Sequence, residues 1–265
     1  MEGRFHGRAA VVTGAAGGIG RATALRLSSE GARVLAVDVQ AAPLEDLAAA
    51  ASHDGYGEIR TLVCDVAADE CPATIVTQCQ TEFGRLDILI NNAGIGGAHS
   101  VSQTDDAEFD RFIAVNLRAV FRLSREALKV LPRPGGRIVN VSSVFGLVGY
   151  PGSSSYAVAK AGVAQLTRQM AADYASEGLL INAVAPGVIR TPMTEARING
   201  DAWYRRIMID TTPVARIGTP EDIAGTIAFL CSDDALFIAG EVIRVDGGWT
   251  ATHYLPPDER NADGD

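Results

Sequence analysis

Short apolar runs alternate along most of this chain with longer amphipathic stretches. The runs are rich in Val, Ile and Leu, and the stretches between them are long enough for helices of roughly 10 to 20 residues. Near-continuous apolar strands that alternate with helices are typical of a parallel sheet buried on both faces. The predicted strands lie in RAAVVT, ARVLAVD, IRTLVCDV, LDILINNAG, GRIVNVSS, LLINAVAPG and EVIRVDGG. The pattern therefore predicts an α/β protein with a seven-stranded, doubly wound parallel sheet and helices on both faces.

No linker or shift in composition divides the alternation, so we expect residues 1–265 to form a single domain. Residues 190–216, between the sixth strand and the helix that opens at TPEDIAG, form an unusually long connection, and we expect a substrate lid there. Thr219 can cap that helix, and Glu221 and Asp222 suit the positive end of its dipole. The tail, 250–265, is polar and contains proline, which is typical of a loose terminus, or of a segment that covers a neighbouring subunit.

The charge balance bears on possible partners. The chain has 32 acidic and 23 basic residues, for a formal net charge of −9. Nucleic acid and anionic membrane surfaces are repelled by such a protein. The N-terminus has no signal-peptide character, and no run reaches the ~20 apolar residues of a membrane span. We therefore expect a cytoplasmic protein with no nucleic-acid partner and no membrane association.

Cysteine and histidine spacing gives no sign of a metal site. The four cysteines form no C-x-x-C pair, and four histidines accompany them without a ligand pattern. We expect no metal, and four reduced thiols: Cys64, Cys71, Cys79 and Cys231.

A glycine-rich turn follows the first predicted strand in TGAAGGIGRATALRL. Glycines let the backbone approach a pyrophosphate, while exposed N–H groups and the helix dipole attract its charge. The strict G-x-G-x-x-G spacing is absent, and the pattern is T-G-x-x-x-G-x-G on Thr13, Gly14, Gly18 and Gly20. A tight strand-to-helix turn is the alternative interpretation.

Asp38 lies near the end of the second predicted strand. An acid at this distance from the glycines can accept hydrogen bonds from both adenosine ribose hydroxyls, and its charge repels a 2′-phosphate. Positions 39 and 40 carry no basic residue to receive such a phosphate. The sequence therefore predicts NAD rather than NADP.

Tyr156 and Lys160 stand four residues apart in a chain that contains two lysines beside 21 arginines. On a helix this spacing puts both side chains on one face. A phenol has a pKa of about 10, so it is a poor base at neutral pH. An ammonium ~4 to 6 Å away can lower that pKa by about 1 to 3 units. We expect Lys160 to make Tyr156 a usable proton acceptor, and to reach a ribose as well.

The motifs of the chain, taken in order, resemble those of the short-chain dehydrogenase/reductase family as far as about residue 250. They are TGAAGGIG at 13–20, CDV with Asp65, NNAG at 91–94, Asn116 in VNL, VSS ending at Ser143, Tyr156 with Lys160, PGVIRT at 186–191, and VDGG at 245–248. The resemblance implies a Rossmann fold and an NAD-dependent enzyme.

The resemblance also implies individual roles. Ser143 would donate a hydrogen bond to the substrate oxygen, and Asn116 would hold a water and a helix kink behind Lys160. Asp65 would contact adenine, and Thr191 with Val188 would hold the nicotinamide carboxamide. The implied catalytic residues are Asn116, Ser143, Tyr156 and Lys160. The implied cofactor-binding residues are Gly14, Gly18, Ile19, Gly20, Asp38, Asp65, Val66, Asn92, Ala93, Gly94, Tyr156, Lys160, Pro186, Gly187, Val188 and Thr191.

Three segments are expected to face the substrate: VFGLVGY, GIGGAHS and the 190–216 segment. The predicted apolar lining residues are Phe145, Tyr150, Met193 and Trp203, with Leu147, Val148 and Met208 as further candidates. The polar candidates are His99, Arg190, Arg197, Arg205 and Arg206, for which ordinary solvent exposure is the alternative. This set does not identify a substrate.

The leading functional hypothesis is an NAD-dependent dehydrogenase for a secondary alcohol and its ketone, such as a polyol, sugar or cyclic alcohol. The alternatives are a 3-oxoacyl thioester reductase and a dinucleotide-sensing module without turnover. Small residues on the helix that carries Tyr156, together with the resemblance, predict a homotetramer.

Overall fold

The computed structural model describes residues 3–254, and a parallel sheet of seven strands forms the centre of that part. The strands are β1 Ala9–Thr13, β2 Arg33–Asp38, β3 Ile59–Val63, β4 Ile88–Asn91, β5 Arg137–Val141, β6 Leu180–Pro186 and β7 Val242–Val245. Their order across the sheet is β3-β2-β1-β4-β5-β6-β7, and every neighbouring pair is parallel. The prediction of a seven-stranded, doubly wound sheet is confirmed.

Nine α-helices lie around the sheet within the described residues. They are α1 Gly18–Ser29, α2 Ala41–His53, α3 Cys71–Phe83, α4 Asp106–Ile113, α5 Ala119–Ala127, α6 Ser154–Tyr174, α7 Glu195–Gly200, α8 Ala202–Arg205 and α9 Pro220–Cys231. Helices α1 and α9 pack together over one face, and α3 and α5 pack together over the other. Of the helices described, none is long and apolar enough to cross a bilayer.

The two faces of the sheet each have an apolar core because side chains alternate along a strand. In β1, Ala10 and Val12 belong to the core under α1 and α9, and Ala9 and Val11 belong to the core under α3. All four are fully buried. This double burial explains why the central strands read as continuous apolar runs.

Strand β3 differs from that expectation. It lies at the edge of the sheet, and the side chain of Val63 is 56% exposed. An apolar run such as IRTLVCDV does not distinguish an edge strand from a central one, because β-branched residues favour strands in both places.

The expectation of four reduced cysteines is wrong for two of them. Cys64, just after β3, is joined by a disulfide to Cys71, the first residue of α3. The connection turns back on itself, so the two Cα atoms lie 6.2 Å apart, within the range that disulfides span. A search for C-x-x-C spacing misses such a pair. Cys79 and Cys231 are buried thiols, and burial raises the pKa of each to about 12.

The sheet topology determines where a ligand can bind. From β1 the order runs through β2 in one direction and through β4 in the other. In open parallel sheets, ligands bind at the carboxyl ends of the strands where the order reverses in this way. The loops after β1, β4, β5 and β6 meet at that edge.

The 190–216 segment follows β6 and contains α7, α8 and a turn of π-helix at Arg206–Asp210. It packs through its own small apolar cluster, in which Ile198, Tyr204 and Met208 are buried. The Trp249 indole N–H donates to the Ile207 carbonyl at 2.9 Å. The predicted tail lies mostly outside the described residues, which end at 254.

Candidate active site

Two glycines of the turn after β1, Gly14 and Gly20, have no space for a side chain. A Cβ atom added to Gly20 would lie 2.0 Å from the Gly14 carbonyl oxygen and 2.6 Å from Nδ2 of Asn92. Gly14 has a φ of +67°, in the left-handed region that favours glycine. The turn leads directly into α1, which begins at Gly18. A bare backbone at a helix N-terminus suits a pyrophosphate, so these residues fit a dinucleotide.

Asn92 joins the loop after β4 to this turn. Its Nδ2 donates to the carbonyl oxygens of Thr13 at 2.9 Å and Gly14 at 3.1 Å. The Thr13 hydroxyl oxygen in turn accepts from the backbone N–H groups of Asn92 and Ala93. Backbone and side chain thus fix the loop after β4 against the glycine turn.

Asp38 ends β2 next to the glycine turn. One carboxylate oxygen accepts from the Ala16 N–H at 3.1 Å, and the other accepts from the Gln40 N–H at 3.2 Å. Asp65 has an exposed side chain after β3, and it accepts from the Ala67 N–H at 2.9 Å. Val66 beside it is half-buried against the core.

The loop after β6 closes the other side of the turn. A Cβ atom on Gly18 would lie 3.0 Å from the Thr191 methyl carbon, so the two loops are in contact. The Thr191 N–H donates to the Thr194 hydroxyl oxygen at 3.1 Å. Of the predicted cofactor-binding residues at the end of β6 and beyond, Thr191 contacts the glycine turn, and Gly187 and Val188 line a cleft described below; the fourth, Pro186, ends β6.

Tyr156, Ser143 and Lys160 lie together where β5 and α6 meet. Ser143 follows β5 and its hydroxyl is within hydrogen-bond reach of the Tyr156 phenol. Lys160 is one turn further along α6, with Nζ 5.8 Å from the centre of the Tyr156 ring. That ammonium is 4% exposed and donates to the Val141 carbonyl oxygen at 2.8 Å. It lies against the loop after β4, because a Cβ atom on Gly94 would lie 3.5 Å from it.

Asn116 is fully buried behind this group. Its Oδ1 accepts from the Ile95 N–H at 3.0 Å, and its Nδ2 donates to the Ile95 carbonyl at 3.2 Å. The helix that carries it changes to a π-helical turn at Ala114–Arg118, between α4 and α5. Such turns are frequent at functional sites.

The pKa of Tyr156 differs from the expectation. Burial raises the pKa of Tyr156 above its usual value, and the Ser143 hydrogen bond opposes that rise. Burial lowers the pKa of Lys160 to about 8. The expected lowering of the Tyr156 pKa by Lys160 is therefore wrong for the protein by itself, because burial has the largest effect on this phenol.

A cleft of ≈ 440 Å³ opens beside Ser143 and Tyr156. Phe145 and Met193 line it as predicted, whereas Tyr150 and Trp203 do not. The Tyr150 ring stacks behind Phe145 at 4.1 Å, and Trp203 lies 5.8 Å beyond Tyr150 with half its surface exposed. The lining residues are Gly96, Gly97, Ala98, Ser143, Val144, Phe145, Ser153, Tyr156, Gly187, Val188, Met193, Thr194, Arg197, Tyr204 and Met208.

Sequence reasoning missed Tyr204 and gave Arg197 no preference over the other arginines. Both lie on the short helices of the 190–216 segment, whose fold depends on packing against Phe145 and Trp249. No local sequence signal singles them out. Met208, a candidate, does line the cleft, and His99 instead contacts Glu108 at 2.9 Å.

Comparison with known proteins agrees with this geometry. The family profile described as "Enoyl-(Acyl carrier protein) reductase", of the short-chain dehydrogenase/reductase family, matches residues 14–250. The chain belongs to the short-chain dehydrogenase/reductase family.

Relatives within the family have different substrates in their names. The cis-4-hydroxycyclohexanecarboxylate dehydrogenase of Sinomonas cyclohexanicum is 43% identical, over 93% of this chain and 98% of that protein. A 3-oxoacyl-[acyl-carrier-protein] reductase of Thermotoga maritima is 38% identical, over 92% of this chain and 98% of that protein. The crystal structure of levodione reductase superposes with a TM-score of 0.89 at 38% identity, covering 94% of this chain and 100% of the other.

Proposed function

We propose that this protein transfers a hydride between NAD(H) and a secondary alcohol/ketone pair, with Tyr156 as the general acid and base. The single observation that carries the proposal is the group of Ser143, Tyr156 and Lys160, in which Ser143 and Tyr156 line the cleft and Lys160 lies beside the Tyr156 ring. Family membership supports an oxidoreductase of this kind.

Ser143, Tyr156 and Lys160 each have a separate role in the proposed reaction. The Ser143 hydroxyl donates a hydrogen bond to the substrate oxygen. During oxidation the deprotonated Tyr156 phenolate takes the hydroxyl proton, and during reduction the Tyr156 phenol gives a proton to the carbonyl oxygen. Lys160, held by the Val141 carbonyl, orients a ribose and keeps positive charge near the phenol. When bound, a nicotinamide dinucleotide supplies the hydride donor or acceptor and, in its oxidised form, a further positive charge.

NAD is the proposed cofactor because of Asp38. Its carboxylate lies at the glycine turn, where a 2′-phosphate would meet a negative charge. The next residue, Val39, is exposed and uncharged, so it offers nothing to bind that phosphate. A cyclic alcohol is the favoured substrate, since Phe145, Met193 and Met208 give the cleft an apolar wall. The 190–216 segment is the proposed lid.

A homotetramer and a cytoplasmic location complete the proposal. Three large apolar side chains on neighbouring helices are exposed: Phe109 on α4, Phe121 on α5 and Val158 on α6. Apolar exposure of this kind is typical of an interface between subunits. Light scattering of the purified protein at micromolar concentration tests this, and a monomer would contradict it.

The catalytic role of Tyr156 is tested with a matched pair on helix α6. We expect Tyr156→Phe to lower kcat about 10² to 10⁴-fold, with the Kd for NAD changed by less than about threefold. Tyr174→Phe, at the far end of the same helix, is the control and keeps wild-type kcat. Near wild-type turnover in Tyr156→Phe would remove the mechanism.

A substrate panel separates the alternative functions. Polyols, sugars and cyclic alcohols are compared with an acetoacetyl thioester, using NAD(H) and NADP(H). The proposal predicts the highest kcat/KM for a cyclic alcohol with NAD. Preference for the thioester with NADPH would favour the acyl-carrier reductase, and dinucleotide binding without turnover of any member would favour a sensing module.

A further inference from the structure

Arg197 carries the only formal charge among the described residues that line the cleft. The other fourteen are glycine, aliphatic, hydroxyl, thioether or aromatic residues. Arg197 lies on α7, so the 190–216 segment brings a cation to the cleft that opens beside Ser143 and Tyr156. No carboxylate of the lining set offsets this charge.

The guanidinium is held in place by an aromatic ring rather than by an acid. It lies 4.8 Å from the centre of the Tyr204 ring, a favourable cation–π distance. Tyr204 is itself 4% exposed, so its ring is held by the packing around it, and its backbone N–H donates to the Asp201 carboxylate at 2.9 Å. A cation on a fixed ring is oriented without being neutralised.

Two other arginines of the segment show the contrast. Arg190 pairs with Glu195 at 2.7 Å, and Arg216 pairs with Asp222 at 2.6 Å. Within residues 3–254, Arg197 has no carboxylate at ion-pair distance. Its side chain is half-buried, where a charge interacts more strongly than in bulk water. Such a cation is suited to bind an anionic group of a ligand.

The ligand must also reach the catalytic phenol. Arg197, Tyr204 and Tyr156 line the same cleft, so the cation and the phenol face one space. Phe145 and Met208 line the same cleft with apolar surface. A substrate with a carbinol at one end, an apolar body and an anion at the other end matches these features.

We propose that Arg197 binds the carboxylate of a hydroxy acid whose carbinol lies at Ser143 and Tyr156. The planar guanidinium presents two parallel N–H groups, the geometry that a carboxylate accepts. The substrate class is therefore a cyclic or similarly compact hydroxy acid and its oxo acid. This inference rests on the proposed function for the position of the carbinol.

A matched substrate pair tests the carboxylate. Initial rates are measured with 4-hydroxycyclohexanecarboxylate and with the neutral 4-hydroxycyclohexanecarboxamide, in wild type, Arg197→Met and Arg205→Met. Arg205 lies on the same segment but outside the cleft, so it is the control. We expect Arg197→Met to lower kcat/KM for the carboxylate about 10 to 100-fold and to leave the carboxamide within about threefold.

Rescue and binding measurements complete the test. Arg197→Lys should keep part of the preference for the carboxylate over the carboxamide, because lysine supplies the positive charge but not the two parallel N–H groups of a guanidinium. Calorimetry of cyclohexanecarboxylate and cyclohexanecarboxamide with the NAD-loaded protein gives a readout that does not need turnover, and the carboxylate should bind more tightly only when Arg197 is present. Equal binding of both compounds to wild type, or a preference that survives in Arg197→Met, would overturn the inference.

The outcomes also separate this inference from the proposed function. Turnover of neutral cyclic alcohols without any preference for the carboxylate would reject the role of Arg197 and leave the dehydrogenase intact. Arg197-dependent binding of the carboxylate in a protein that oxidises no alcohol would reject the dehydrogenase and leave an anion-binding cleft.

Discussion

The glycine turn proposed to hold the dinucleotide and the cleft proposed to hold the substrate are built in different ways; they are the dinucleotide end and the substrate end of the proposed site. At the dinucleotide end, Asn92 and Thr13 tie backbone to backbone, and Gly20 leaves no space for a methyl group. At the substrate end, the lining includes side chains such as Met193, which lies in the turn before α7 and is 51% exposed. The first end is constrained by its backbone and the second by packing between side chains. The varied substrates in the names of the relatives are consistent with this difference.

A methyl group added at each end should separate them most strongly. Gly20→Ala places a Cβ 2.0 Å from the Gly14 carbonyl oxygen, whereas a Cβ at Gly200 in α7 meets nothing within 4 Å. We expect Gly20→Ala to cost about 3 kcal/mol of stability or more and to weaken NAD binding on the order of 100-fold. Gly200→Ala should change both by little. Urea unfolding and NAD titration measure the two effects.

Equal losses of stability and of NAD affinity in Gly20→Ala and Gly200→Ala would contradict this difference between the two ends. If Gly20→Ala retains wild-type NAD affinity, the turn relaxes around the methyl group and is not a rigid cradle. If Gly200→Ala abolishes activity, the 190–216 segment is as constrained as the turn.

The same difference determines what the sequence could predict. The sheet, the glycine turn and the order of the motifs follow from local periodicity and from positions where only glycine fits. The position of Tyr150 behind Phe145, by contrast, follows from contacts between segments distant in sequence. The raised pKa of Tyr156 depends on burial, which a four-residue spacing does not show.

Lys160 links the two ends, and its burial should be visible in stability. Its pKa is about 8 in the folded protein against an ordinary 10.5. The unfolded chain binds this proton more tightly than the folded protein does. Below pH 8, where the lysine is protonated in both states, burial of the ammonium therefore destabilises the fold by about 3 kcal/mol, and this cost disappears as the pH rises from 8 towards 10.5. Replacing Lys160 with methionine also removes its hydrogen bond to the Val141 carbonyl, and this loss offsets about 1 kcal/mol of the gain. Without cofactor, Lys160→Met should therefore be about 2 kcal/mol more stable than wild type at pH 7.

The pH dependence of unfolding shows whether burial of the ammonium causes the gain in stability of Lys160→Met. The gain in Lys160→Met should shrink between pH 8 and 10 in urea unfolding. Lys129→Met removes the other lysine, whose side chain is 63% exposed, and should change stability by less than about 0.5 kcal/mol at every pH. A gain that is independent of pH would point to packing of the methionine instead.

Cofactor choice tests a single charge at the dinucleotide end. Asp38→Asn keeps an oxygen for the Ala16 N–H but removes the negative charge. We expect the ratio of kcat/KM for NAD to that for NADP to fall about 10-fold or more, equivalent to about 1.4 kcal/mol. Asp65→Asn, on the neighbouring loop, is the control and should leave the ratio within about threefold. An unchanged ratio in Asp38→Asn would mean that the carboxylate does not select the cofactor.

The smallest effect is expected where the 190–216 segment joins α9. The Asp222 carboxylate accepts two hydrogen bonds from Arg216 and one from the Thr219 N–H, and these lower its pKa to about 2 from an ordinary 3.8. Because this carboxylate is partly exposed, its contribution is discounted to about 1 kcal/mol. That stability is present above pH 4 and is lost as the pH falls towards 2.

Asp222→Asn should therefore lower the free energy of unfolding by about 1 kcal/mol at pH 7, with a difference from wild type that narrows between pH 4 and 3. Glu221→Gln, at the adjacent helix position without a bond to Arg216, is the matched control. A loss of the same size in Glu221→Gln would assign the effect to the helix dipole. A loss specific to Asp222, with kcat/KM unchanged, would show that the segment is anchored here independently of the chemistry in the cleft.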